Sequence, residues 1–100
     1  MPKPELLSDD QITEALRDLP GWEAHTGTLF RAVKAPAFLT GIGIVDDVAV
    51  IAEQLNHHPD IDIRWTTVSF TLSTHVSGGV TQYDIELAKR ISAAIDKRLG

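Results

Sequence analysis

Pro59 divides this chain into two regimes of apolar periodicity. Before it, Phe38, Ile42, Val45, Ala49, Ala52 and Asn56 recur at helical spacing, with Val48, Ile51 and Leu55 widening the stripe. After it, Ile61, Ile63 and Trp65 alternate with Asp62 and Arg64 at the period of a strand. Proline has no N–H to extend a helical ladder and restricts the residue before it, so helix must give way to strand here. The spacing predicts a long helix from Pro36, a first-turn residue, to about His57, followed by extended chain. Gly41 and Gly43 weaken that helix by about 1 kcal/mol each relative to Ala, which suggests close approach to another backbone.

The flanking segments repeat the alternation of helix and strand. Ser8 with Gln11 three residues on is a capping box, and Ile12, Ala15, Leu16 and Leu19 continue as one helical stripe up to Pro20-Gly21. Trp22 to Ala35 reads as a β-hairpin around His25-Thr26-Gly27. Beyond Trp65 the apolar phase moves from odd to even positions at Val68, Phe70 and Leu72, so a bulge or tight connection must lie at Thr66-Thr67. The second strand is read as Val68 to His75, with His75 on the face opposite Val68, Phe70 and Leu72. Gly78-Gly79 is a loop; Thr81 and Asp84 open a last helix with the stripe Ile85, Ala88, Ile91, Ile95 and Leu99. The expected fold class is α+β: an N-terminal helix plus β-β-α-β-β-α, two layers, with an antiparallel four-stranded sheet covered on one face by helices.

Composition narrows the function classes. One hundred residues fit a single domain, 1–100, and leave no room for a separate nucleotide-binding half. There is no cysteine, hence no disulfide, thiolate zinc site or thiol nucleophile. A net charge of -5 with acids and bases interspersed argues against direct nucleic-acid binding. Ala35 to Ile51, the longest apolar-leaning stretch, is too short to span a bilayer and contains Asp46 and Asp47, so no membrane association is expected. The opening Met1-Pro2-Lys3-Pro4-Glu5 lacks an apolar signal core, and the expected localisation is cytoplasmic. Histidine, present four times, is the remaining proton-transfer side chain.

Chemistry concentrates in Glu53-Gln54-Leu55-Asn56-His57-His58-Pro59. Residues four apart share a helix face, so Glu53 is expected to orient His57 in the last helical turn, while Pro59 swings His58 out of helical geometry toward the same cleft. Each residue also has a plainer reading. His-His-Pro can simply end a helix, Glu53 and His57 can be an exposed pair, and His75 can be a strand-end polar residue. His25 reads as a turn residue, Asp84 as a helix-start residue rather than an acid catalyst, and Trp22 and Trp65 as core or rim aromatics. A zinc site built from His57, His58, His75 and Glu53 is the rival chemistry, although adjacent histidines converge poorly on one ion.

The ordered set Glu53, His57-His58-Pro59, Trp65, Thr74-His75 and Asp84 resembles the pattern of the pterin-4a-carbinolamine dehydratases, over most of the chain. The resemblance implies dehydration of 4a-hydroxytetrahydropterin to quinonoid dihydropterin in tetrahydrobiopterin recycling, without a metal or other cofactor. It implies His57 and His75 as the acid-base pair, His58 as a pterin-positioning residue with a share in proton transfer, Glu53 as the group tuning His57, and Asn56, Ser73 and Thr74 along the pterin edge. Asn56 stands where animal members have Asp. The family also implies a homodimer or homotetramer. Some of its members act as dimerisation cofactors or assembly factors, so a binding module without catalysis is the alternative function.

Overall fold

The computed structural model describes residues 3–100; Met1 and Pro2, the start of the segment read for a signal core, lie outside the described residues. Among the described residues the order is α1 (Asp9–Leu16), β1 (Glu23–His25), β2 (Thr28–Lys34), α2 (Phe38–Leu55), β3 (Asp60–Arg64), β4 (Thr67–Leu72), a 3-10 turn (His75–Ser77) and α3 (Gln82–Leu99). The four strands form one antiparallel sheet in the order β1-β2-β4-β3, which is the α+β arrangement expected from the sequence.

Alternation along β4 creates the core. Val68, Phe70 and Leu72 are fully buried on the helix side, whereas Thr67, Ser69 and Thr71 lie half-buried on the other face. Leu29 and Val33 of β2 sit opposite Leu72 and Val68, and Ile44 and Val48 of α2 and Ile85, Ala88, Ile91 and Ile95 of α3 close over them. Each fully buried side chain of this size contributes about 1.5–3 kcal/mol. The chain exposes 6238 Å², more than the roughly 5,600 Å² that scaling gives for its mass; a two-layer molecule with one uncovered sheet face has that excess.

The phase change after Trp65 is a tight connection rather than a bulge. Arg64 pairs with Thr67, so Trp65 and Thr66 form a two-residue turn, with Trp65 at φ 52°. Ile61 and Ile63 then oppose Phe70 and Val68, which places odd β3 positions and even β4 positions on one face. Because β3 is an edge strand, both isoleucines remain 37% exposed, and Trp65 itself is 78% exposed. By contrast Trp22 is 6% exposed, and its Nε1–H donates to Ser92 Oγ on α3 at 2.8 Å.

Several boundaries differ from the sequence reading. Pro36 precedes α2, whose N-cap is Ala37 in extended geometry; the helix ends at Leu55, not His57. The two α2 glycines meet side chains and not backbone. A Cβ at Gly41 would lie 3.2 Å from Val68 Cγ2, and one at Gly43 would collide with the Arg98 guanidinium. Arg98 lies there because it forms a two-pronged ion pair with Asp47, at 2.7 and 3.0 Å. That hydrogen-bonded guanidinium holds the Asp47 carboxyl below the usual carboxylate range. No helix among the described residues is long and apolar enough to cross a membrane.

Candidate active site

The site forms where the end of α2 meets the start of α3. Asn56 adopts left-handed geometry, φ 50° and ψ 43°, a conformation that Asn tolerates better than most residues and that ends helices. Its N–H reaches back to the Ala52 and Glu53 carbonyls, and His57 N–H donates to Ala52 O at 3.0 Å. This reversal carries the His57 side chain off the α2 axis toward α3. There, Thr81 caps α3 by accepting from Tyr83 N–H, and Asp84 returns the bond by accepting from Thr81 N–H at 2.8 Å.

Asp84 does more than cap the helix. Its side chain is fully buried; Oδ2 accepts from Thr81 N–H and from the Thr74 hydroxyl, both at 2.8 Å, and Oδ1 lies 2.6 Å from His57 Nε2. The carboxylate behind His57 is therefore Asp84, not Glu53. Glu53 instead meets His58 Nε2 at 2.5 Å, in a pair open to solvent. The four-residue spacing rule assumed a helical His57; the left-handed turn at Asn56 removes His57 from the Glu53 face and leaves His58 within reach.

His75 opens the 3-10 turn and does not end β4, which stops at Leu72. Thr74 bridges to Gly79, and Ser77 and Gly78 donate to Thr74 O, so a turn closed by Gly78 at φ 77° presents His75 to solvent. The N-terminal segment braces this loop: the Ser77 hydroxyl donates to Pro4 O at 2.6 Å, and Leu7 N–H to Val80 O at 2.9 Å.

His57, His58 and His75 line one cleft of about 520 Å³, together with Asn56, Ser73 and Thr74. Pro4, Leu55, Val76 and Tyr83 complete its wall, and the Tyr83 ring lies 5.8 Å from the His57 ring. That volume lies within the range of small-molecule sites. Glu53 stands behind His58 and does not line the cleft. Ser73 and Thr74 reach the wall, yet each commits its hydroxyl hydrogen inside the protein, Ser73 to Gly27 O at 2.9 Å and Thr74 to Asp84. His25 pairs with Glu23 elsewhere, at 3.1 Å. Among the described residues no three His, Asp or Glu side chains stand close enough together to hold one metal ion.

Sequence reasoning left out Tyr83 and Pro4 and undervalued Asp84. The Thr81–Asp84 spacing did signal a cap, but a cap uses only one carboxylate oxygen. What the other oxygen meets depends on how α2 packs against α3.

Comparison with known proteins agrees on a family. Residues 5–94 match the family described as pterin 4 alpha carbinolamine dehydratase. A protein of Mycolicibacterium smegmatis, named provisionally as a pterin-4-alpha-carbinolamine dehydratase, is 54% identical over 87% of this chain and 93% of its own length. A Nocardia farcinica protein with the same name is 56% identical over 87% of this chain and 92% of its own. The crystal structure of a transcriptional coactivator/pterin dehydratase from Brucella melitensis superposes with a TM-score of 0.86 at 35% identity, covering 89% of this chain and 97% of that one. A pterin dehydratase-like protein identified as a RuBisCO assembly factor shares the fold, with a TM-score of 0.61 at 21% identity over 74% of this chain and 86% of its own. By fold, by sequence and by extent of match, the chain belongs to the pterin 4 alpha carbinolamine dehydratase family.

Proposed function

We propose that this protein is a cytoplasmic dehydratase of tetrahydrobiopterin recycling, converting 4a-hydroxytetrahydropterin to quinonoid dihydropterin and water by histidine acid-base catalysis. The observation that carries the reading is the meeting of His57, His58 and His75 at one cleft, two of them backed by a carboxylate. The reaction breaks the C4a–O bond and removes the N5 proton. One imidazolium gives a proton to the departing hydroxyl while a neutral imidazole takes one from N5, so the protein ends with the protons it began with. No electrons change hands, and the chemistry calls for no redox cofactor.

The proposed acid-base pair is His57, held by buried Asp84, and His75, exposed at the rim. His58 positions the pterin, and Glu53 acts through His58. Asn56, Ser73 and Thr74 supply the cleft edge, and the Tyr83 ring offers a flat apolar contact. Positioned general acids and bases contribute about 10²- to 10⁴-fold each. Dehydration of chemically generated 4a-hydroxytetrahydropterin should be accelerated by the wild type and fall by about 100-fold or more in His57→Ala and in His75→Ala. Wild-type turnover no faster than buffer overturns the proposal.

We also assign a homodimer or homotetramer, supported by Leu39 and Val50 on α2, which are 79% and 57% exposed. Light scattering that finds only monomer across the accessible concentration range refutes this. The name of the Brucella protein motivates a second, binding role. Capture of a defined partner by a variant lacking His57, His58 and His75 would separate that role from catalysis.

A further inference from the structure

The groups behind His57 form a hydrogen-bond chain with a single direction. Thr74, Thr81 and Asp84 are 4%, 0% and 0% exposed, so water does not complete their bonding. A hydroxyl has one hydrogen to donate. Thr74 gives its hydrogen to Asp84 Oδ2, at 2.8 Å. The 2.7 Å contact between the Thr74 and Thr81 hydroxyls must then use the hydrogen of Thr81. Thr81 Oγ1 in turn accepts from Tyr83 N–H at 3.3 Å, and Thr81 N–H also ends on Asp84 Oδ2. Among the described residues no buried side-chain nitrogen or oxygen is left without a partner.

Every donor in this chain points toward the carboxylate. With Oδ2 filled by two donors, Oδ1 is left as an acceptor for His57 Nε2, 2.6 Å away. A neutral imidazole has one hydrogen, and an acceptor facing Nε2 calls for that hydrogen on Nε2. We infer that Thr81, acting through Thr74 and Asp84, is a positioning residue that holds His57 as its Nε2–H tautomer, so that Nδ1 is the nitrogen offered to the substrate. The part of this inference that concerns substrate rests on the proposed dehydratase function; the tautomer itself does not. It assigns Thr74 a role behind the histidine, in place of a hydroxyl donated to the pterin.

The test is ¹⁵N NMR of the histidine rings, with His57 assigned by the signal lost in His57→Gln, from about pH 6 to about pH 9. The expected result is that Nε2 keeps its hydrogen throughout and proton loss is confined to Nδ1. A neutral His57 with its hydrogen on Nδ1 overturns the inference, whatever the activity. Thr81→Ser should match the wild type in NMR and in kcat. Thr81→Val, which cannot donate to Thr74, should show mixed tautomers and a kcat lower by about tenfold, equivalent to about 1.4 kcal/mol, with KM within about twofold. A folded Thr81→Val that matches the wild type in both readouts removes Thr81 from the chain; should it not fold, the wild-type spectrum still decides the tautomer. A wild type with the Nε2–H tautomer and no dehydratase activity rejects the proposed function and leaves the tautomer in place.

Discussion

The two histidine–carboxylate pairs differ in burial, and removing each carboxylate should therefore have unequal effects. His57 and Asp84 side chains are 14% and 0% exposed, whereas His58 and Glu53 are 55% and 77% exposed. In Asp84→Asn, the amide oxygen can still accept from Thr81 N–H and the Thr74 hydroxyl, preserving two of the three contacts at Asp84. The third contact reverses. The amide NH₂ then faces His57 Nε2 across a 2.6 Å separation, and the ring must move or take the other tautomer. A buried mismatch of this kind costs about 1–3 kcal/mol, which lowers Tm by about 5–20 °C in a domain of this size. A wrong histidine tautomer costs about 10²- to 10⁴-fold in kcat. Glu53→Gln removes one charge from a solvent-screened pair worth about 0–1 kcal/mol, so Tm should stay within about 8 °C and kcat within about tenfold. Thermal melts together with dehydration kinetics for both variants check the contrast. An Asp84→Asn protein with wild-type kcat, or equal losses in the two variants, would refute the assignment of Asp84 as the partner that matters.

Other expectations follow from the packing. Asn56→Gly should retain stability and the placement of His57, whereas Asn56→Ala, forced into left-handed geometry, should lose about 1 kcal/mol in urea unfolding and misplace His57; equal stability of the two would contradict the role given to that turn. Gly41→Ala gains up to about 1 kcal/mol of helix propensity but presses on buried Val68, and the expected net loss is about 1 kcal/mol; a more stable variant would show that α2 has room to move. Because Arg98 lowers the Asp47 pKa in the folded state, the pair's contribution is complete above the unfolded value of about 3.9 and is lost as pH falls through the folded value. The stability gap between wild type and Asp47→Asn should accordingly be flat down to about pH 5 and close at lower pH; a gap that widens on acidification would contradict the sign.

Local chemistry in the sequence announced most of the fold. The Ser8–Gln11 and Thr81–Asp84 boxes cap α1 and α3 as read, and the period change at Pro59 marks the passage from α2 to β3. Conflicts between neighbouring signals produced the errors. Pro59 is a visible terminator, but Asn56, three residues earlier, already ends α2, and the spacing arithmetic that linked Glu53 to His57 fails with it. Thr74 and His75 continue the alternation of β4 on paper, yet the 3-10 turn closed by Gly78 takes His75 out of the strand. The clustering of histidines was legible; the direction of the hydroxyls of Ser73, Thr74 and Thr81 was not, because it depends on which buried acceptor each meets after the layers close.

The two tryptophans occupy opposite extremes, one clamped beneath α3 by a bond to Ser92 and the other displayed on the β3–β4 turn. They give the molecule a built-in pair of optical probes. Trp65, 78% exposed, should emit from a water-like setting in the folded protein, so loss of structure should leave its spectrum almost unchanged and a red shift should belong to Trp22. A Trp65→Phe protein thus carries a single tryptophan, one that reports when the start of the first hairpin lets go of the last helix.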